Sequence, residues 1–250
     1  MKFNSEKCKV LHFGKRNIKH EYTITDQDTG GMHTLVSSSC ERDLGVQLTV
    51  DLKWNKQVNC AAAKANQILG RIKNAFSYFD IEMAKLLYTV FVRPHLEFAI
   101  PVWSPYLKGD KEKLEAVQHR ATRLVSGIKK MQYPRRLAAF GLTDLSLRRE
   151  RGDLIQFFKC VNNIENISWI EPLQRMKAQS VEGPAGHLRR GEFDFYPVLV
   201  KKCKVRESFF INRVIPKWNN LSIYAKQAKT VNSFKARIDK EGYNQTDELK

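Results

Sequence analysis

Val58-Asn59-Cys60-Ala61-Ala62-Ala63-Lys64-Ala65-Asn66-Gln67-Ile68-Leu69-Gly70-Arg71-Ile72-Lys73-Asn74-Ala75-Phe76-Ser77-Tyr78-Phe79 is the stretch on which the fold turns. Within it Val58, Ala62, Ala65, Leu69, Ile72, Phe76 and Phe79 recur at intervals of 4-3-4-3-4-3. That is the period of one buried helical face. Ala61, Ala62 and Ala65 leave room for a second helix to approach closely, while Lys64, Gln67, Arg71 and Asn74 fall on the opposite face. A pattern of this period cannot sit in a strand, whose side chains alternate every second residue. A long amphipathic helix is therefore expected over 55–79.

On its N-terminal side the period changes to that of strands. Lys9-Val10-Leu11-His12-Phe13 reads as a short strand ended by Gly14, and Glu21-Tyr22-Thr23-Ile24-Thr25 alternates and is β-branched. Asp26 to Gly31 is a turn cluster. Leu44-Gly45-Val46-Gln47-Leu48 reads as a third strand in which the glycine marks a bulge or a close backbone approach. On the C-terminal side Asp80 caps a second helix through Met83, Leu86, Leu87, Val90 and Phe91, which Pro94 bends or ends. Leu96 to Trp103 reads as a short helical continuation. A third helix starts near Asp110 with the stripe Leu114, Val117, Ala121, Leu124 and Ile128, leaving Lys113, Arg120 and Arg123 outside it. Two more helices are expected over 134–140 and 145–162. Residues 163–200, rich in glycine and proline, form the loosest part, with an extended piece over Tyr196 to Val205. Amphipathic segments follow at Phe209, Phe210, Val214, Trp218 and Leu221, and at Val231, Phe234 and Ile238.

The expected class is α+β: a small N-terminal antiparallel β-sheet, a mainly α-helical bundle, and a looser mixed C-terminal region. The boundaries fall at 1–54, 55–165, a linker over 166–205, a helical segment over 206–240 and a polar tail over 241–250.

The charge is lopsided. Lys and Arg number 43 against 26 Asp and Glu, a net +17. Such an excess makes nucleic acid the default partner. No apolar run approaches the about 20 residues that span a bilayer, and the N-terminus has no apolar segment of a secretory leader. Five scattered cysteines fit reduced thiols. A nuclear or cytoplasmic location follows, with neither membrane nor secretion. No CxxC, HxxxH, GxxxxGK or GxSxG occurs, and no two aspartates are adjacent. Zinc, P-loop, serine-nucleophile and two-metal chemistry therefore lack their usual ligands.

Several motifs, taken in order, resemble one family. Asn4-Ser5-Glu6-Lys7-Cys8-Lys9-Val10-Leu11-His12-Phe13-Gly14 is similar to the segment after the YxDD box of jockey-like, LINE-type (non-LTR) retrotransposon reverse transcriptases. Glu41-Arg42-Asp43-Leu44-Gly45-Val46 resembles their EKDLGV element. Lys64-Ala65-Asn66, Leu69-Gly70 and Phe76 resemble their first thumb helix. Val92-Arg93-Pro94-His95-Leu96-Glu97-Phe98-Ala99 with Val102-Trp103-Ser104-Pro105 resembles VRPHLEYA…VWSP, and Leu114 to Thr122 resembles LExVQRRAT. Tyr133, Arg136-Leu137, Arg148-Arg149, Arg151 to Ile155, Phe209-Phe210, Arg213-Val214, Trp218-Asn219 and Phe234-Lys235 continue the order.

The resemblance implies the end of a palm, a thumb and the region downstream of it. It implies a truncated RNA-directed DNA polymerase fragment that still holds template and primer but performs no polymerase chemistry alone. The catalytic aspartates and the Mg2+ they bind would lie upstream, so no cofactor is expected here. Lys7 would match a lysine near the incoming nucleotide, and Leu44, Gly45 and Val46 the hairpin that supports the primer end, although plain core packing also accounts for Leu44 and Val46. Helical periodicity, not a family motif, adds Lys64, Arg71, Arg120 and Arg123 as backbone contacts to an RNA–DNA duplex. Arg148, Arg149 and Arg151 are equally readable as ion-pair partners of Glu150 and Asp153. The alternatives are a helical protein-interaction remnant, with Trp218 and Phe209/Phe210 as its sticky surface, or a non-functional open reading frame. Self-association through apolar surface is an expected liability.

Overall fold

A computed structural model describes residues 4–14, 16–26, 29–168, 172–176 and 191–244. Parts of the expected turn (27–28), linker (169–171 and 177–190) and tail (245–250) lie outside the described residues. The chain divides into two compact units, residues 1–60 and 61–250.

Among the described residues the first unit holds six short strands: β1 (Lys9–Leu11), β2 (Thr23–Thr25), β3 (Met32–Thr34), β4 (Val36–Ser38), β5 (Cys40–Asp43) and β6 (Val46–Thr49). They form three two-stranded sheets rather than one. β2–β3 and β5–β6 are antiparallel, as the alternating sequence suggests, whereas β1 and β4 pair in parallel. The β2–β3 excursion lies between β1 and β4, and the chain returns running in the same direction as β1. A Lys9–Glu41 ion pair of 3.2 Å links β1 to β5. The residues read as one third strand prove to be a hairpin. Leu44 and Gly45 have φ of +42° and +90° and form the two-residue turn between Asp43 and Val46. Positive φ at both central residues is the turn whose twist matches its flanking strands.

Helix α1 (Asn55–Ala75) carries the chain out of this unit. It buries Val58, Ala61, Ala65, Leu69 and Ile72, the stripe foreseen with Ala61 in place of Ala62. It ends before Phe76, so that ring is released from the stripe and is 42% exposed, while Phe79 is buried. In the second unit Asp80 caps α2 (Ile81–Leu87), accepting the Met83 N–H at 2.7 Å. Pro94 does not end this helix. The backbone widens into a π turn over Tyr88–Val92 and continues as α3 (Arg93–Glu97), with the Arg93 N–H reaching Tyr88 O. A wider turn absorbs the proline, which has no N–H to give and sits in the first turn of α3. Residues 98–102 are turns rather than the expected helix.

α4 (Lys108–Ala121) also stops earlier than its stripe, and Leu124 and Ile128 follow in turns. After α5 (Tyr133–Phe140) and α6 (Leu145–Val161) the chain reaches α7 (Lys204–Glu207), α8 (Phe210–Asn220), α9 (Ile223–Lys226) and α10 (Val231–Ile238). The extended piece expected over Tyr196 to Val205 forms no strand. Arg175 and Phe195 make a single bridge instead, and Lys204 onward is helical.

One apolar cluster joins α6 to the C-terminal helices. Phe158 stacks on Phe234 at 4.3 Å, and Phe157 meets Trp218 edge-on at 5.0 Å. Trp218 is 2% exposed and its Nε1–H donates to Phe193 O at 2.8 Å. The segment 206–240 therefore packs on α6, and Trp218 is core rather than sticky surface. Arg213 clamps Asp153 through two bonds of 2.8 and 2.9 Å and donates to Ile100 O and Pro101 O. A second, polar centre is Gln118, fully buried. Its Oε1 accepts from Tyr88, and its Nε2 donates to Glu115, Tyr133 and Thr143 O at 3.0–3.2 Å. Glu115 also accepts the Leu145 N–H at 2.8 Å. This network ties the π turn, α4, α5 and α6 together, and it draws on the Glu115 and Gln118 of the Leu114–Thr122 motif.

Candidate nucleic-acid interface

The second unit carries a groove of about 820 Å3 between α1 and the segment that follows α4. Asn66, Gly70 and Lys73 supply the α1 wall, and they share a face because they are four and three residues apart. Arg120, Arg123, Ser126 and Lys129 supply the other wall, and Phe76 and Phe79 close one end. The early end of α4 makes this wall. Had α4 run on to Ile128, residues 123–129 would continue the rod instead of turning back. The Thr122 hydroxyl donates to His119 O at 3.0 Å at that end. Arg120 reaches across the groove, its Nε–H donating to Asn66 Oδ1 at 3.1 Å.

Among the described residues no carboxylate lines the groove, whereas four cations do: Lys73, Arg120, Arg123 and Lys129. Behind them lies Arg136, buried, its Nε–H on Thr122 Oγ1 at 3.1 Å and its guanidinium 5.5 Å from the Tyr133 ring centre. Arg136 bonds Met131 O as well, but its second terminal nitrogen lacks an acceptor. The local potential is consequently positive. Burial is the largest influence depressing the His119 pKa below its ordinary value, and Arg136, Arg123 and Arg120 push it the same way. Burial and then Arg123 lower that of Arg136. Part of this charge has a structural role, since cations near a helix C-terminus offset its dipole. Arg120 sits in the last turn of α4 and fits that role. Arg123 and Lys129 lie beyond the helix.

The residues foreseen from sequence are divided by the structure. Arg120 and Arg123 meet in the groove. Lys64 and Arg71 are exposed but about 150° around α1 from its Asn66, Gly70 and Lys73 wall at 100° per residue. They face away from it. Lys73, Lys129, Gly70 and the ring of Phe76 join instead. The Asn66–Gly70–Lys73 spacing was readable, but it falls between the apolar and the most polar faces and is hidden by both.

In the first unit, Lys7 ends a tight turn (Ser5–Lys7) and is exposed. Asn4 holds that turn, its Oδ1 accepting the Lys7 N–H at 3.1 Å. Leu44 and Val46 part company: Val46 is 4% exposed and packs in the core, whereas Leu44 at the hairpin tip is 91% exposed. Core packing explains Val46 and not Leu44.

The Arg148–Arg149–Arg151 group is structural, with partners other than those expected. Arg148 pairs with Glu97, Arg149 is buried on Leu96 O and Leu145 O, and Arg151 grips Asp239 at 2.6 and 2.9 Å. Glu150 pairs with Lys217, and Asp153 with Arg213. Among the described residues no group of His, Cys, Asp and Glu is arranged to hold a metal ion, and no helix is long and apolar enough to cross a membrane. No family model, curated protein or solved structure matches this chain.

Proposed function

We propose that this chain binds nucleic acid through the α1–α4 groove, as the thumb region of a LINE-type reverse transcriptase would, and performs no polymerase chemistry alone. The observation that supports this most is the groove lining: four cations, an exposed phenylalanine and, among the described residues, no carboxylate. Cations held on a helix face and on the turn beyond a helix end neutralise phosphates without reading bases, which gives sequence-tolerant and salt-dependent binding. The exposed Leu44 at the β5–β6 tip suits a second contact, since a leucine at positive φ is strained and no packing rewards it.

The test is a fluorescence anisotropy titration of the full chain against RNA–DNA hybrid and single-stranded oligonucleotides at about 50 to 200 mM salt. Binding should weaken steeply with salt. The triple variant R120A/R123A/K129A should lower the slope of log K against log salt by roughly 2 to 3, about 0.7–0.9 for each phosphate no longer neutralised. An unchanged slope, or no affinity at the lowest salt, would overturn the reading. K64A/R71A serves as the control on the far face of α1 and should change little beyond nonspecific charge.

A second reading, a protein-interaction surface, draws support from Leu86, Val90 and Phe91. These are exposed along α2 and the π turn, with Phe91 53% exposed. This apolar surface also suits self-association.

A further inference from the structure

We infer that the groove takes an unpaired strand, DNA or RNA, one base of which stacks on Phe76. This inference rests on the nucleic-acid reading above but names an unpaired strand, not the template–primer duplex expected of a thumb, as the ligand. Three observations point the same way.

The first is the ring itself. Phe76 lies one residue beyond the end of α1, within the groove and close to half exposed. Phe79, buried, braces it edge-on at 6.0 Å and 69°. A duplex keeps its base faces stacked internally and offers this ring nothing, whereas every unpaired base has a free face. The second is size. At about 820 Å3 the groove lies within the roughly 300–1,000 Å3 range of small-ligand clefts. A few nucleotides fill it.

The third is Gly70. It stands in the middle of α1, where glycine costs about 1 kcal/mol relative to alanine. Packing gives no reason for it, because a Cβ built there meets nothing within 4 Å. Its φ is ordinary for a helix, so no backbone strain demands glycine either. It does line the groove, between Asn66 and Lys73, and a bare backbone there lets a ligand lie close against the helix. Lys73, Arg120, Arg123 and Lys129 on the two walls would then meet the phosphates, while Asn66 holds Arg120 in place.

The experiment measures the full chain against a labelled unstructured 12-mer, the same 12-mer with abasic positions, and a hybrid duplex of that length. The 12-mer should bind more tightly than the hybrid. Phe76→Ala should weaken the intact 12-mer about tenfold, within the range for losing one base–aromatic stack, and leave the salt slope unchanged. It should have no further effect on the abasic strand. Gly70→Leu, which improves helix propensity and whose Cβ meets nothing within 4 Å, should keep the helical circular dichroism and weaken the 12-mer. Equal binding of hybrid and single strand, or a Phe76→Ala variant that binds the 12-mer as the parent does, overturns the inference. If R120A/R123A/K129A still reduces the salt slope in that case, the broader nucleic-acid reading stands. Absence of binding to all three probes ends both.

Discussion

His119 lies among Arg120, Arg123 and Arg136, and its pKa responds to burial and to their charge. Its folded pKa is depressed, by burial first and then by Arg136, Arg123 and Arg120, whereas in the unfolded chain it returns toward 6.5. Between those two values the unfolded state binds more protons than the folded one, so stability rises with pH there. His119 therefore favours folding above about pH 6.5, and that contribution is lost as pH falls through the window beneath it. The thermal midpoint of the parent should drop between about pH 7.5 and 5.5, and His119→Gln should drop less. Identical pH profiles would mean that the cations around His119 are screened. Ion pairs of Arg148, Arg149 and Arg151 with Glu150 and Asp153 are expected from proximity in sequence. On a helix, however, residues one or two apart do not face each other, and Asp153, which lies four residues from Arg149, is taken by Arg213. Each arginine turns instead to a carboxylate or carbonyl far along the chain, at Glu97, Leu96 and Asp239.

Among the elements, the β5–β6 hairpin and the two shortened helices decide the candidate surfaces. A leucine and a glycine fill the hairpin turn, where asparagine and glycine are favoured because both residues need positive φ. Leu44→Asn should stabilise the protein by roughly 0.5–1 kcal/mol in urea unfolding, since asparagine accepts that conformation at lower cost. If Leu44 serves a ligand, the same change should weaken oligonucleotide binding. A variant that is less stable than the parent would contradict the turn assignment. The helix ends are harder to read than the helices. The stripes through Phe76 and Phe79, and through Leu124 and Ile128, keep helical spacing beyond the point where α1 and α4 stop. Apolar periodicity specifies which residues face a core, not whether the backbone between them stays helical. Both early endings matter, because one frees the Phe76 ring and the other turns Arg123 and Lys129 toward α1.

For the whole molecule, the division into units differs from the division by composition. The glycine- and proline-rich stretch suggests that residues 206–240 stand apart from the helices before them. Yet Trp218 and Phe234 insert against Phe157 and Phe158 of α6, and Arg213 and Arg151 bind Asp153 and Asp239 across the same contact. Trp218→Ala should therefore cost about 3–5 kcal/mol, the usual range for emptying an aromatic core site. α6 and the C-terminal helices should unfold together in one urea transition. A destabilisation below about 1 kcal/mol, or separate transitions, would show that the cluster does not hold them as one body.

The sequence by itself determined the division into short strands first and helices after. Alternating β-branched residues gave short strands before Trp54, and repeats of 3 and 4 gave helices after it, because side-chain direction along a strand or helix is a local property. It also determined the excess of positive charge. Only the tertiary structure decided where that charge meets. Lys64 and Arg71 share a helix with Lys73 but not a face, and Arg120, Arg123 and Lys129 reach the α1 wall through the end of α4 and the turn after it. Partners that are tens of residues apart are chosen by packing and by desolvation, and neither is written in the spacing of any single segment.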